Sequence, residues 1–116
     1  MEFKKVKIII TVPTSHADIV RKVLGDAGAG VFGNYSHCSI TTKVTGRWLA
    51  HDGANPHLGN IGELESAEEE KVEVVCEREK AKEIIEAVRK VHPYDEPTFD
   101  IYPLLTVEEI EELDQK

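Results

Sequence analysis

Five histidines carry much of the chemical potential of this sequence: His16, His37, His51, His57 and His92. A neutral imidazole is a ligand for zinc, copper or nickel. His51 and His57 fall in one glycine-rich connection together with Asp52, and His37 is expected on the polar face of a strand. A set made of His37, His51 and His57 would suit a divalent metal, zinc or copper. No two of these residues show a tight ligand spacing such as His-x-x-x-His on a helix. His16 falls in the first turn of an expected helix and reads as a surface residue.

A second cluster is the run His92-Pro93-Tyr94-Asp95-Glu96-Pro97. Two prolines bracket polar side chains, which gives a rigid turn in which His92 or Asp95 satisfies backbone groups. The functional alternative is a cleft lining, with Tyr94 and Glu96 touching a ligand. A histidine beside acids suits general acid–base work. However, no oxyanion donor set accompanies it, and Ser36 and Ser39 sit in no nucleophile elbow or triad context. No catalytic residue is assigned.

The stretch GAGVFG has the spelling Gly28-x-Gly30-x-x-Gly33 of a dinucleotide-binding fingerprint. In such a unit the glycines follow a strand and open a helix, whose N-terminus meets the pyrophosphate. Here they follow an expected helix and lead into an expected strand, the wrong end of the helix dipole. They are therefore expected to cap the helix and turn the chain.

The elements that must position these residues follow from periodicity. Residues 4–12 alternate, with Val6, Ile8, Ile10 and Val12 on one face of a strand. Ser15 offers an N-cap with Asp18 three residues on, and Ile19, Val20, Val23, Leu24 and Ala27 make a helical stripe. Residues 36–45 read as a second strand with Cys38, Ile40, Thr42 and Val44 on the core side. The connection 46–68 has no periodicity, and so long a structureless segment is usually functional or mobile. Within it, Trp48 reads either as an anchor to a neighbouring subunit or as a cap on the core, and Glu68-Glu69-Glu70 reads as a solvated edge. Residues 71–76 are a third strand, with Val72, Val74 and Cys76 on one face. Residues 78–91 are a second helix and 98–103 a fourth strand with Phe99 and Ile101 on one face. Thr106 and Glu109 form a capping box for an acidic tail helix striped by Val107, Ile110 and Leu113.

The order β-α-β-β-α-β predicts an α+β fold, a ferredoxin-like sandwich with two helices on one face of a four-stranded sheet. One domain is expected over residues 1–105, followed by a short acidic C-terminal helix over 106–116. The open sheet face would carry Ile9, Val75 and Tyr102, which favours cover by another subunit and hence a homo-oligomer.

The composition fits one soluble domain: 116 residues, 41% hydrophobic and 31% charged. The net charge of −8 argues against nucleic acid, whose backbone demands a basic face. No apolar run approaches the roughly 20 residues of a membrane helix, and the expected location is the cytoplasm. Cys38 and Cys76 form no C-x-x-C motif and are expected to be free thiols.

Three strings, AGAGVFGNYSHCSITT, GANPHLGNIGELE and VHPYDEPTFDIYPL, together resemble the domain inserted in many bacterial Nif-three-like proteins, over nearly all of residues 4–105. HPYDEP is also similar to the His-Pro-Tyr-acidic motif of CutA, the divalent-cation-tolerance family. Both are related in architecture to PII signalling proteins. The resemblance implies a stand-alone version of that insert, a PII-like fold and a homotrimer with ligands at clefts between subunits. Nif-three-like proteins carry a di-metal site in a separate host domain, which these residues do not supply. The leading expectation is a non-enzymatic trimeric module that binds a small ligand or regulates a partner, without nucleic acid or membrane. Its ligand would lie near Asn34, Tyr35, His37, Asn55, His92, Tyr94 and Glu96. A divalent-metal-binding protein using His37, His51 and His57 and a purely structural oligomerisation domain are the alternatives.

Overall fold

A computed structural model describes residues 2–114 of the chain. The elements are β1 (Lys5–Pro13), α1 (Thr14–Asp26), β2 (Ile40–Leu49), β3 (Leu64–Glu77), a 3-10 turn (Arg78–Lys80), α2 (Ala81–Arg89), β4 (Phe99–Leu104) and α3 (Val107–Asp114). All strand pairs are antiparallel, in the order β2-β3-β1-β4. This is the ferredoxin-like α+β arrangement, with α1 and α2 on one face. The tail expected over 106–116 is helical from Val107 to Asp114, and residues 115–116 lie outside the described residues.

The core is built as the alternation of β1 dictates. Val6, Ile8, Ile10 and Val12 are buried against Ala17, Val20 and Leu24 of α1 and Ile84 and Val88 of α2. Val72, Val74 and Cys76 of β3 stand opposite Ile10, Ile8 and Val6 and share that face. Burial pushes the pKa of the Cys76 thiol up, and both cysteines are free. Lys7, Ile9, Val75 and Tyr102 occupy the other face. Of the three expected to lie open there, Ile9 is buried and Val75 half-buried, and only Tyr102 is exposed; the α3 stripe of Val107, Ile110 and Leu113 is exposed as well.

The second strand differs from expectation. It starts at Ile40, four residues later than expected, because His37 takes a left-handed backbone (φ 59) that no strand accommodates. Cys38 lies before the strand, and the register puts Ile40, Thr42 and Val44 opposite Glu73, Lys71 and Glu69 on the open face. Ile40 is 64% exposed, so it does not pack in the core with Cys38.

The connection 46–68 is not structureless. Pairing continues out to Leu49↔Leu64, so β2 and β3 form a long arm and only 50–63 is loop. Its periodicity was hidden because the inner face of the arm is carried by Gly46, Trp48, Glu65, Ala67 and Glu69, a mixture in which burial does not follow apolar residues. The expected helix over 78–91 divides into the 3-10 turn and α2.

Capping divides in the same way. α1 begins at Thr14 with no side-chain cap, and Ser15 bonds the His16 ring instead. Asp18 pairs with Arg21. The Thr106–Glu109 box does form: the Glu109 N–H donates to the Thr106 hydroxyl, and the Thr106 N–H donates to the Glu109 carboxylate.

Candidate functional site: a cavity beside the 92–98 turn

The turn after α2 is held by His92, which is buried. Its Nε2–H donates to the Thr11 carbonyl (2.8 Å), and Nδ1 accepts the Tyr94 N–H (3.2 Å). These two bonds fix the neutral tautomer. Burial, the largest influence, lowers the His92 pKa from its ordinary value.

That shift has a sign for stability. A histidine harder to protonate when folded binds its proton better in the unfolded chain. The stabilisation is therefore complete above the unfolded value of about 6.5 and is lost as pH falls below it. Protonation would also set an Nδ1–H against the Tyr94 N–H. Urea midpoints of the wild type are expected to fall between pH 7.5 and 5.5, and those of His92→Gln to fall less. Parallel curves would remove His92 from the account.

From this turn Tyr94 reaches the sheet. Its hydroxyl donates to Glu69 Oε2 at 2.7 Å, across 25 residues of sequence. Burial first, and the Glu69 carboxylate second, raise the Tyr94 pKa far above the usual phenol range, so the hydroxyl keeps its proton. Glu69 is 5% exposed, on the open face opposite Val44. Its side chain lies over Gly46, where any Cβ would collide with the carboxylate. Asp95 accepts the Asn55 N–H at 2.9 Å and so ties the arm's loop to the turn. Rings complete the wall. Trp48 lies 5.8 Å, His57 6.2 Å and His92 5.1 Å from Tyr94, centroid to centroid. His16 stands edge-on to His57 at 5.7 Å.

These groups enclose a cavity of about 840 Å³ between the end of the arm, its loop and the turn. Its lining includes Ala54, Pro56, His57, Tyr94, Asp95 and Glu96 as well as His51. Of the residues expected to contact a ligand, Tyr94 and Glu96 line the cavity, while Asn55 and His92 stand behind it, bonded to Asp95 and Tyr94. Asn34, Tyr35 and His37 are elsewhere. They belong to a turn at the other end of α1, where Phe32 and Tyr35 exchange backbone hydrogen bonds. His37 bonds Asp26 through Nε2 and Ser36 through Nδ1, with its ring against Gly25. It does not meet His51 and His57 within the protomer. Among the described residues no three His, Cys, Asp or Glu side chains are grouped to hold a metal.

Sequence reasoning missed Glu69 and His16. The signal for Glu69 was its place one residue before Glu70, where the core alternation of Val72 and Val74 runs back into two acids. His16 carried no such signal, since its neighbour His57 comes from a distant loop.

No protein-family model matches the chain. It is 46% identical over 99 residues to the GTP cyclohydrolase 1 type 2 homolog of Mycobacterium tuberculosis, covering 85% of this chain and 26% of the relative. The corresponding protein of Halalkalibacterium halodurans is 44% identical over 98 residues, again 84% of this chain and 26% of the relative. The chain therefore spans about a quarter of the length of the curated relatives it matches. Among solved structures, a Bacillus cereus protein related to NIF3 superposes with a TM-score of 0.78 at 38% identity, over 90% of this chain and 26% of that one. The periplasmic divalent cation tolerance protein CutA of Archaeoglobus fulgidus superposes with a TM-score of 0.67 at 21% identity, over 96% of each chain. The latter likeness shows the fold. The chain is a NIF3-like domain with a CutA-like, PII-like fold. No helix among the described residues is long and apolar enough to cross a membrane.

Proposed function

We propose that this NIF3-like, CutA-like domain is a non-enzymatic module that assembles as a trimer and binds a small ligand in the cavity beside the 92–98 turn. The observation that carries the reading is the preformed cavity wall. Tyr94 is fixed on Glu69, and Asp95 is fixed on the loop backbone, before any ligand arrives. Such mutual fixing suits recognition. It suits proton transfer poorly, because the Tyr94 hydroxyl holds its proton tightly.

Assembly is supported by the apolar surface left uncovered. Tyr102 and Ile40 on the open sheet face, Leu64 on the arm, and Val107, Ile110 and Leu113 on α3 are all exposed in the protomer. Exposed apolar side chains of this size, spread over several elements, are surface that a neighbouring copy would cover. Asn34, Tyr35 and His37 lie far from the cavity in their own protomer, and would reach it only from a neighbouring one. The activity of the longer curated relatives is not part of this proposal.

Light scattering on the purified chain at micromolar concentration is expected to give a mass near three times the 13.0 kDa protomer. A monomer would end the inter-subunit reading. Thermal melts against nucleotides, small metabolites and divalent metals test binding. A ligand at a hundredfold excess over its Kd stabilises by about 2.7 kcal/mol. An oligomer that no compound stabilises would leave the purely structural oligomerisation domain as the better account.

A further inference from the structure

Glu69 and Glu70 are successive residues on opposite faces of β3, and both are buried. Glu70 has a counter-charge, with Arg21 at 2.8 Å. Glu69 has none: among the described residues it makes no ion pair, and its one hydrogen bond is the neutral Tyr94 hydroxyl on Oε2. A buried carboxylate is costly unless a cation accompanies it. This one lines the cavity, and Gly46 leaves open the space that its second oxygen occupies. We propose that the cavity binds a small organic cation, whose ammonium or guanidinium group sits on Glu69 in front of Trp48 and Tyr94.

Charge and shape agree with that class. Four carboxylates (Asp52, Glu69, Asp95, Glu96) face two cationic side chains, Arg47 and Lys71, a balance of 2 − 4 = −2. Trp48 and Tyr94 both line the cavity, and aromatic rings attract cations through their quadrupole. A hydrated divalent metal is less suited, because it asks for several oxygen or nitrogen donors at once and no such group is assembled among the described residues.

The inference rests on the small-ligand reading, and the two fail differently. Trp48 is the sole tryptophan, so its fluorescence reports directly on the cavity. The probes are n-butylamine and agmatine, against butyrate, ATP and magnesium at one ionic strength. The amines are expected to shift Trp48 emission saturably. Their affinity should fall about tenfold or more in Glu69→Gln, as loss of a charge-assisted hydrogen bond implies. A response to butyrate or ATP that survives Glu69→Gln would overturn the cation inference and keep the cavity reading. No response to any probe would sink both. Should Glu69→Gln break the oligomer, the missing cation is a second copy's side chain, and the inference fails. If that variant does not fold, Trp48→Leu followed by calorimetry replaces it. Undiminished amine binding there would equally overturn the inference.

Discussion

Replacing Arg21 by alanine is expected to cost about 1–3 kcal/mol, the penalty of leaving the largely buried Glu70 carboxylate without the half-buried guanidinium that satisfies it. The Arg21 guanidinium bonds Glu70 at 2.8 Å, Asp18 at 2.6 Å and the Thr41 hydroxyl at 3.3 Å. One side chain of α1 thereby pins the helix to β3 and to the root of the arm in β2. The hydrogen bond to Glu70, the largest influence, holds the Arg21 pKa up. Glu70 is 8% exposed, stands opposite Val12 in β1 and Lys43 in β2, and makes no ion pair other than that with Arg21 among the described residues. Asp18 is fully exposed, so Asp18→Ala should change little. Urea unfolding at one fixed protomer concentration reads the difference, because an oligomer's stability depends on concentration. The double variant Arg21→Met, Glu70→Leu should recover most of the loss, since an apolar pair of similar volume carries no desolvation penalty. An Arg21→Ala protein within about 0.5 kcal/mol of wild type, the range of an ordinary surface change, would show that Glu70 finds other compensation.

The fold was legible where one side of an element is buried and the other is wet. Val6, Ile8, Ile10 and Val12 alternate in sequence and are all buried together. Ile84 and Val88, one helical turn apart, reach the core together. The arm was illegible for a different reason. Burial alternates along it, but its inner face is made of Gly46, Trp48, Glu65, Ala67 and Glu69, so no apolar period marks that burial. The start of β2 was misjudged by four residues because nothing in the letters announces that His37 turns left-handed. Its ring lies over Gly25 and bonds Asp26, contacts that span eleven or twelve residues. The site was half legible. The rigid 92–97 turn follows from its two prolines, and Tyr94 and Glu96 stand where a cleft lining was expected. Glu69, read as part of a solvated run, proved to be the group that Tyr94 reaches. A contact between a turn and a strand 25 residues earlier is set by the register of the sheet. That register depended on the very arm that periodicity could not show.

Gly30→Ala is expected to be the most damaging change in the GAGVFG stretch, and the three glycines should respond unequally. Gly28 closes α1 in a Schellman turn: its N–H bonds the Gly25 carbonyl, and the Ala29 N–H bonds the Leu24 carbonyl. Its φ of 107 needs glycine. Gly30 is more constrained. Its N–H donates to Val75 of β3 and its carbonyl accepts from Cys38, each within 3.0 Å. At φ 80 an added Cβ would lie 2.6 Å from the Cys38 nitrogen and nearer still to its oxygen. Backbone cannot yield as a side chain can. The left-handed strain of about 1–3 kcal/mol is thus joined by a clash that must break one of those bonds. Gly33 also has positive φ, 53, but nothing lies within 4 Å of its would-be Cβ. Gly33→Ala should cost only the left-handed penalty of about 1–2 kcal/mol, and Gly33→Asn less. Urea midpoints of the three alanine variants separate this ordering from its rival. Were the stretch a phosphate cradle, the variants would fold comparably and lose a nucleotide together. Equal stability of Gly30→Ala and Gly33→Ala would sink the structural account. A large gap would show that Gly30 holds the end of β3 to the turn bearing Asn34 and Tyr35, the one part of the expected ligand set that the protomer keeps away from its cavity.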